Sequence, residues 1–217
     1  MSRSRLLVLD VDSTLIQQEV IELLAARAGS RDRVAAITER AMRGELDFAA
    51  SLKERVATLA GLPDSVFADV ASEVLLTPGA VELVAAAQAE GWTVGLVSGG
   101  FEEVVSSIAA RVNIACFVAN RLEVVDGTLT GRTVGPVIDR NAKAVALKAF
   151  ARAAGVAIED TVAIGDGAND LGMMDAAGLS VAFAAKPVVR EQADIAIDGP
   201  RLDAAWPLIS APAARTH

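Results

Sequence analysis

Histidine occurs once in the 217 residues, at the last position. That removes Ser-His-Asp triads, Cys-His pairs and histidine-based zinc sites together, so acid–base chemistry has to come from carboxylates or lysine. Cysteine also occurs once, as Cys116, which rules out an intramolecular disulfide and fits a reducing, cytoplasmic setting. Tyrosine is absent and aromatic residues make up 4%, so there is no stacking platform for single-stranded nucleic acid. A net charge of −8, with a pI near 4.7, argues against nucleic acid or an anionic membrane as the main partner. It leaves room for a small phosphorylated substrate, because local donors and a metal decide that. Mean hydropathy is +0.41, but alanine inflates it, and charges interrupt every apolar run before the roughly 18 residues a spanning helix needs. The basic start, Met1 to Arg5, is followed too soon by Asp10 and Asp12 for a signal peptide. With 53% hydrophobic residues and seven prolines, the chain is expected to be globular, a monomer or homodimer with one substantial core.

What is present is organised around Leu6-Leu7-Val8-Leu9-Asp10-Val11-Asp12-Ser13-Thr14. The apolar run reads as a buried strand ending in two carboxylates one residue apart, which strand pleating aims roughly the same way. A surface turn in which Asp12 caps the following helix is the competing reading. Helical patterns follow at Gln18–Ala28, Asp32–Met42, Phe48–Leu59 and Ser65–Leu75, punctuated by Gly29, Gly44, Gly61 and Pro63. Four consecutive helices break the strand–helix alternation of a doubly wound sheet, so residues 17–76 read as an inserted helical cap. Residues 1–16 and 77–217 then form an α/β core, a Rossmann-like parallel sheet flanked by helices. Within it, a helix from Thr77 to Glu90 precedes a strand, Trp92–Val97, that ends at Ser98-Gly99-Gly100. A helix to Arg111, a hairpin turning at Asp126-Gly127 and a helix Asn141–Ala154 come next. A strand, Thr161–Ile164, ends at Gly165-Asp166-Gly167, and two more strands, Leu179–Phe183 and Ile195–Ile197, precede a tail from Pro207 that is expected to fray.

Three apolar strands therefore end in polar clusters, and in a parallel sheet such ends lie side by side. Ser98 followed by two glycines lets backbone N–H groups approach an anion, although one glycine turn alone is as well read as a turn. Asp166 to Asp170 places two acids and Asn169 in a tight turn; hard oxygen donors there suit Mg²⁺, while an Asx turn is the plainer alternative. Lys143, near the start of its helix, is a solvated lysine if taken alone. Beside three aspartates it is the cation that lets a phosphate dianion enter. Together these parts describe phosphoryl transfer. Asp10 is the nucleophile, and Asp12 is the acid and base. Mg²⁺ sits on the Asp10 and Asp166 carboxylates and the Asp12 main-chain carbonyl, with Ser98, Gly99, Gly100 and Lys143 on the phosphoryl oxygens.

Asp10-Val11-Asp12-Ser13-Thr14, Ser98, Lys143 and Gly165-Asp166-Gly167-Ala168-Asn169-Asp170 resemble, in order, the four motifs of the haloacid dehalogenase superfamily. Further stretches are similar to its phosphoserine phosphatase family: Glu19 after the first motif, Gly44 to Arg55, Val97 to Phe101, Ala119-Asn120-Arg121-Leu122, Asp126 to Gly131 and Gly165 to Met174. The resemblance implies hydrolysis of O-phospho-L-serine, with Glu19 on the α-ammonium and Arg55 gripping the α-carboxylate. It also implies Met42 and Phe48 as apolar cap positions, and Asn169 at the substrate. Because about five residues precede the first strand, the regulatory amino-acid-binding domains of longer members are not expected. Action on another small phosphomonoester, transfer to a second alcohol, and a non-catalytic phospho-ligand sensor remain the alternatives.

Overall fold

The computed structural model describes residues 4–42 and 45–211, and for Met42 the backbone alone. Gly44, the Met42 side chain and the tail beyond Ala211, including His217, lie outside the described residues.

The apolar run forms β1 (Leu6–Leu9), fully buried along its length. Successive side chains enter opposite layers, Leu7 and Leu9 into one buried cluster and Leu6 and Val8 into the other. This is the mark of a central strand covered on both faces. Around it lie β2 (Thr93–Phe101), β3 (Cys116–Val125), β4 (Thr128–Val134), β5 (Thr161–Gly165), β6 (Leu179–Phe183) and β7 (Ile195–Ile197). The order is β4-β3-β2-β1-β5-β6-β7, parallel except for β4, which pairs with β3 through the Asp126-Gly127 hairpin. Register sets the site. Leu9 stands opposite Leu96 on β2 and Ile164 on β5, so Asp10, Ser98 and Asp166 leave the sheet within two residues of one edge.

Helices α1 (Val20–Arg27), α2 (Arg31–Met42), α3 (Phe48–Ala57) and α4 (Val66–Glu73) follow β1. The chain leaves the core and re-enters it side by side: Ile16 bridges Leu76, the Gln17 N–H donates to the Leu75 carbonyl, and the Thr77 N–H donates to that of Leu15. Buried residues of α1, α3 and α4 are continuous with the sheet core, and the N–H of Leu129 on β4 donates to the Leu62 carbonyl.

Helices α5 (Ala80–Ala89) and α6 (Glu102–Arg111) line the layer that takes Leu7 and Leu9. The other layer holds α7 (Arg140–Ala154), α8 (Leu171–Ala176) and the short α9 (Pro187–Arg190). Asp139 caps α7 by accepting the Ala142 N–H at 2.8 Å, and Gly155, at φ +65°, ends it in the left-handed conformation that lacks a steric penalty only for glycine.

Two expectations need correcting. Strand β2 does not stop at Val97; it continues through a bulge to Phe101. The tail from Pro207 is not all frayed. Trp206–Ser210 forms α10, with Ile209 buried, the Trp206 ring packed 5.2 Å from that of Trp92 at a tilt of 57°, and the Arg5 guanidinium donating to the Ile209 carbonyl at 2.7 Å. Alanine content hid anchors distant in the chain, Arg5 being 204 positions from Ile209.

Candidate active site

Past Leu9 the alternation aims Asp10 into the layer that holds α7, where Lys143 projects from the helix's first turn. Asp10 is 3% exposed and Lys143 is 0% exposed, and their side chains form an ion pair. The Lys143 ammonium also donates to Asp170 Oδ1 at 2.6 Å. The second Asp170 oxygen accepts the main-chain N–H groups of Asp166 at 3.2 Å and Gly167 at 3.0 Å, shaping the turn after β5. A Cβ on Gly165 would stand 2.5–2.6 Å from the Asp170 carboxyl group, so only glycine admits that packing.

Asp12 turns toward the helical segment. The chain between β1 and α1 is a tight turn, with Ser13 in the left-handed region at φ +58°. The Asp12 carboxylate accepts the Val20 N–H at 3.0 Å, at the start of α1. Asp12 thus holds the start of α1, as the capping reading expects, and also lines the same cavity as Asp10.

That cavity, of about 570 Å³, is lined by Asp10, Asp12 and Asp166, by Glu19, Phe48 and Arg55 of the helical segment, and by Gly99, Gly100 and Asn169. Ser98 and Lys143 lie behind this lining, fully buried. Ser98 Oγ accepts the Gly100 N–H at 2.8 Å, which leaves its own proton free to donate. Glu19 accepts from Ser13 Oγ at 2.7 Å, and Arg55 Nε donates to the Ser51 carbonyl at 3.3 Å. The Phe48 ring reaches 3.4 Å from where a Gly99 Cβ would be.

The electrostatics are those of a site short of positive charge. Burial, then Asp170, push Asp10 well above the ordinary carboxylate range, although Lys143 pulls the other way. Burial and Glu19 raise Asp12 to about 7; burial and Asp170 raise Asp166 to about 7. Burial favours a neutral Lys143, but Asp10 and Asp170 outweigh it and hold the ammonium charged. Burial lowers the Arg55 value, opposed by Glu19 and Asp12.

One oxygen from each of Asp10, Asp166 and Asp170 lies within 4.8 Å of the others, a hard donor set that suits a divalent cation. The two Asp170 oxygens are already engaged by Lys143 and the turn. The open donors belong to Asp10 and Asp166, and Asp170 acts as their scaffold. The Asp12 carboxylate lies outside this trio.

Residues that sequence reasoning left unassigned also stand here. Asp170, one of the two acids of the turn after β5, holds Lys143 and the turn itself, a part that its motif does not specify. Ser51, Arg140 and Lys186 line the cavity, and nothing in their local sequence marks them.

Comparison with known proteins follows the same lines. The family model for haloacid dehalogenase-like hydrolases matches residues 7–175. Phosphoserine phosphatase SerB2 of Mycobacterium tuberculosis is 56% identical over 199 residues, 92% of this chain and 49% of that protein. The phosphoserine phosphatase of Streptococcus thermophilus is 52% identical over 197 residues, 91% of this chain and 92% of that one. The chain thus spans about half the length of the mycobacterial relative and nearly all of the streptococcal one. A solved structure described as a substrate-bound phosphoserine phosphatase complex superposes with a TM-score of 0.90 at 39% identity, covering 96% of this chain and 99% of that one. The chain belongs to the haloacid dehalogenase-like hydrolase family.

Proposed function

We propose that this chain is a Mg²⁺-dependent phosphatase that hydrolyses O-phospho-L-serine to L-serine and phosphate, the closing step of serine biosynthesis. The observation that carries the reading is one cavity in which Asp10, Asp12 and Asp166 share the lining with Glu19 and Arg55, backed by the buried Asp10–Lys143–Asp170 cluster. The relatives' names point to the same substrate.

In this reading the open Asp10 oxygen attacks phosphorus; its bond to phosphorus forms as the bond to the serine oxygen breaks. Asp12, raised to about 7, supplies the proton to that leaving oxygen, then takes one from the water that attacks the aspartyl-phosphate and frees Asp10. Lys143 spends two of its three donors on Asp10 and Asp170, which fixes the nucleophile's orientation and leaves the third for a phosphoryl oxygen. The Ser98 hydroxyl and the Gly99 N–H offer the rest of the cradle, while the Gly100 N–H is held by Ser98 Oγ. Mg²⁺, held by the Asp10 and Asp166 carboxylates and the Asp12 main-chain carbonyl, supplies positive charge against the phosphoryl oxygens. Glu19 takes the α-ammonium and Arg55 the α-carboxylate, while Phe48 and Asn169 complete the enclosure. Residues 17–76 act as the lid. Among the described residues no helix is long and apolar enough to cross a membrane, and with its lone cysteine we place the enzyme in the cytoplasm.

The test is phosphate release across a panel of phosphomonoesters. Arg55→Ala should raise KM for phosphoserine by tens of fold, about 2–3 kcal/mol for a lost charged contact, and leave p-nitrophenyl phosphate nearly untouched. Equal losses on both substrates would dismiss the amino-acid assignment.

A further inference from the structure

The Ala119-Asn120-Arg121-Leu122 stretch on β3 finds no use in the chemistry above, yet it touches both halves of the phosphate cradle. Strands β2 and β3 pair in register up to Val97–Val118 and resume at Phe101–Asn120. Between those pairs Ser98, Gly99 and Gly100 on β2 oppose Ala119 alone, so the strand is pushed out of the ladder toward the cavity. Backbone groups expelled from a ladder need other partners when buried. The Gly99 carbonyl finds one in the Asn120 side chain, whose Nδ2 donates to it at 2.8 Å. The other end of the same amide, Oδ1, accepts the Ile138 N–H at 2.8 Å. Ile138 precedes Asp139, the cap of α7, and the Lys143 N–H in turn donates to the Asp139 carbonyl.

Asn120 is 2% exposed, with both ends of its amide engaged. Its orientation is forced, because a carbonyl only accepts and a main-chain N–H only donates. No other side chain of this size offers one donor and one acceptor on a rigid plane; aspartate would set an acceptor against the Gly99 carbonyl.

We propose that Asn120 is a positioning residue for phosphoryl binding: one buried amide holds the Gly99 carbonyl, which fixes the residue whose own N–H faces the phosphate, and ties it to the segment that carries Lys143. The inference rests on the phosphatase reading. Asn120 touches no substrate; it acts through Gly99 and α7.

The experiment compares Asn120→Asp and Asn120→Leu with the parent protein. It measures kcat/KM for p-nitrophenyl phosphate with Mg²⁺ from pH 5.5 to 8.5, with melting curves to confirm folding. Ionised aspartate loses the donor, whereas protonated aspartate restores it, since its O–H can donate to Gly99 while its carbonyl accepts from Ile138. The Asn120→Asp ratio to the parent should fall about 10- to 100-fold at pH 8 and return to within ~3-fold at pH 5.5. Asn120→Leu should be low throughout. Glu103, which accepts the Leu122 N–H nearby, is common to all three proteins and cancels in the ratio, as do the catalytic carboxylates. A flat Asn120→Asp ratio, or a fully active Asn120→Leu, overturns the proposal, the latter by reducing the effect to charge. The parent protein gives a second readout that needs no variant: inorganic phosphate with Mg²⁺ should shift the Gly99 and Gly100 amide resonances together with those of the Asn120 side chain and Ile138. Movement at the glycines alone refutes the tether and leaves the phosphatase reading standing. A parent protein with no turnover and no glycine shift removes the phosphate site itself, and the inference falls with it.

Discussion

Replacing Lys143 by methionine isolates the electrostatic core of the site. The lysine is 0% exposed, and its ammonium is shared by the Asp10 and Asp170 carboxylates. Methionine fills a similar volume, so little packing is lost, but two buried carboxylates are left without their cation. Breaking a buried pair from one side costs about 3–5 kcal/mol because the orphaned charge stays behind. For a chain of this size that is a fall of roughly 6–20 °C in Tm. The loss should depend on pH in a definite direction. Asp10 already sits well above the ordinary carboxylate range, through burial first and Asp170 next, and removing the ammonium raises it further. A carboxyl group whose folded value is raised adds stability at low pH and loses it as pH climbs through that value. The gap between Lys143→Met and the parent should therefore widen from pH 5 to pH 8.5, and adding Asp10→Asn should recover most of it. Calorimetric melts in chelator, so that metal does not mask the effect, are the assay. A gap that is constant with pH, or smaller than about 1 kcal/mol, would refute the claim that Lys143 neutralises this cluster.

Two further outcomes follow from the same structure. Without metal, Asp12 and Asp166, both near 7 against an ordinary 3.8, favour the fold fully below about pH 4 and progressively less as pH rises through 7. Mg²⁺ needs Asp166 ionised and relieves its repulsion with Asp170, so it should raise Tm more at pH 8 than at pH 5.5. Equal Mg²⁺ shifts at the two pH values would contradict this. Ser51 Oγ is buried, at 2% residue exposure, with no hydrogen-bond partner among the described residues, so Ser51→Ala should raise the ligand-free Tm by about 2–4 °C, roughly 1 kcal/mol. A lowered Tm would show that the hydroxyl is satisfied.

The part of this molecule that could be read from sequence is the part written in contiguous residues. Leu6–Leu9 announces a central strand because four apolar residues in a row need cover on both faces, and the end of β5 before Asp166 is marked by the glycines beside it, whereas those beside Ser98 mark a bulge within β2. Asp12 shows the limit. Pleating puts it near Asp10, but the left-handed turn at Ser13 and the Val20 N–H give it a second task that no local pattern records. The Asp170 contact with Lys143 spans 27 positions, and that of Asn120 with Gly99 spans 21. Such pairings depend on how the sheet folds and on a bulge in β2, so the residues carry no signal of their own. The tail differs from that expectation for the same reason: what holds Trp206 and Ile209 is Trp92, in the middle of the chain, and Arg5, at its far end.

The account depends above all on Asp10 forming the bond to phosphorus. Mixing the protein with ³²P-labelled O-phospho-L-serine and Mg²⁺, quenching in acid within the first turnover and mapping the peptides tests that directly. Label should appear on the peptide containing Asp10 in the parent protein and be absent from Asp10→Asn. Label on another residue, or rapid phosphate release with no labelled protein at any time, would contradict it.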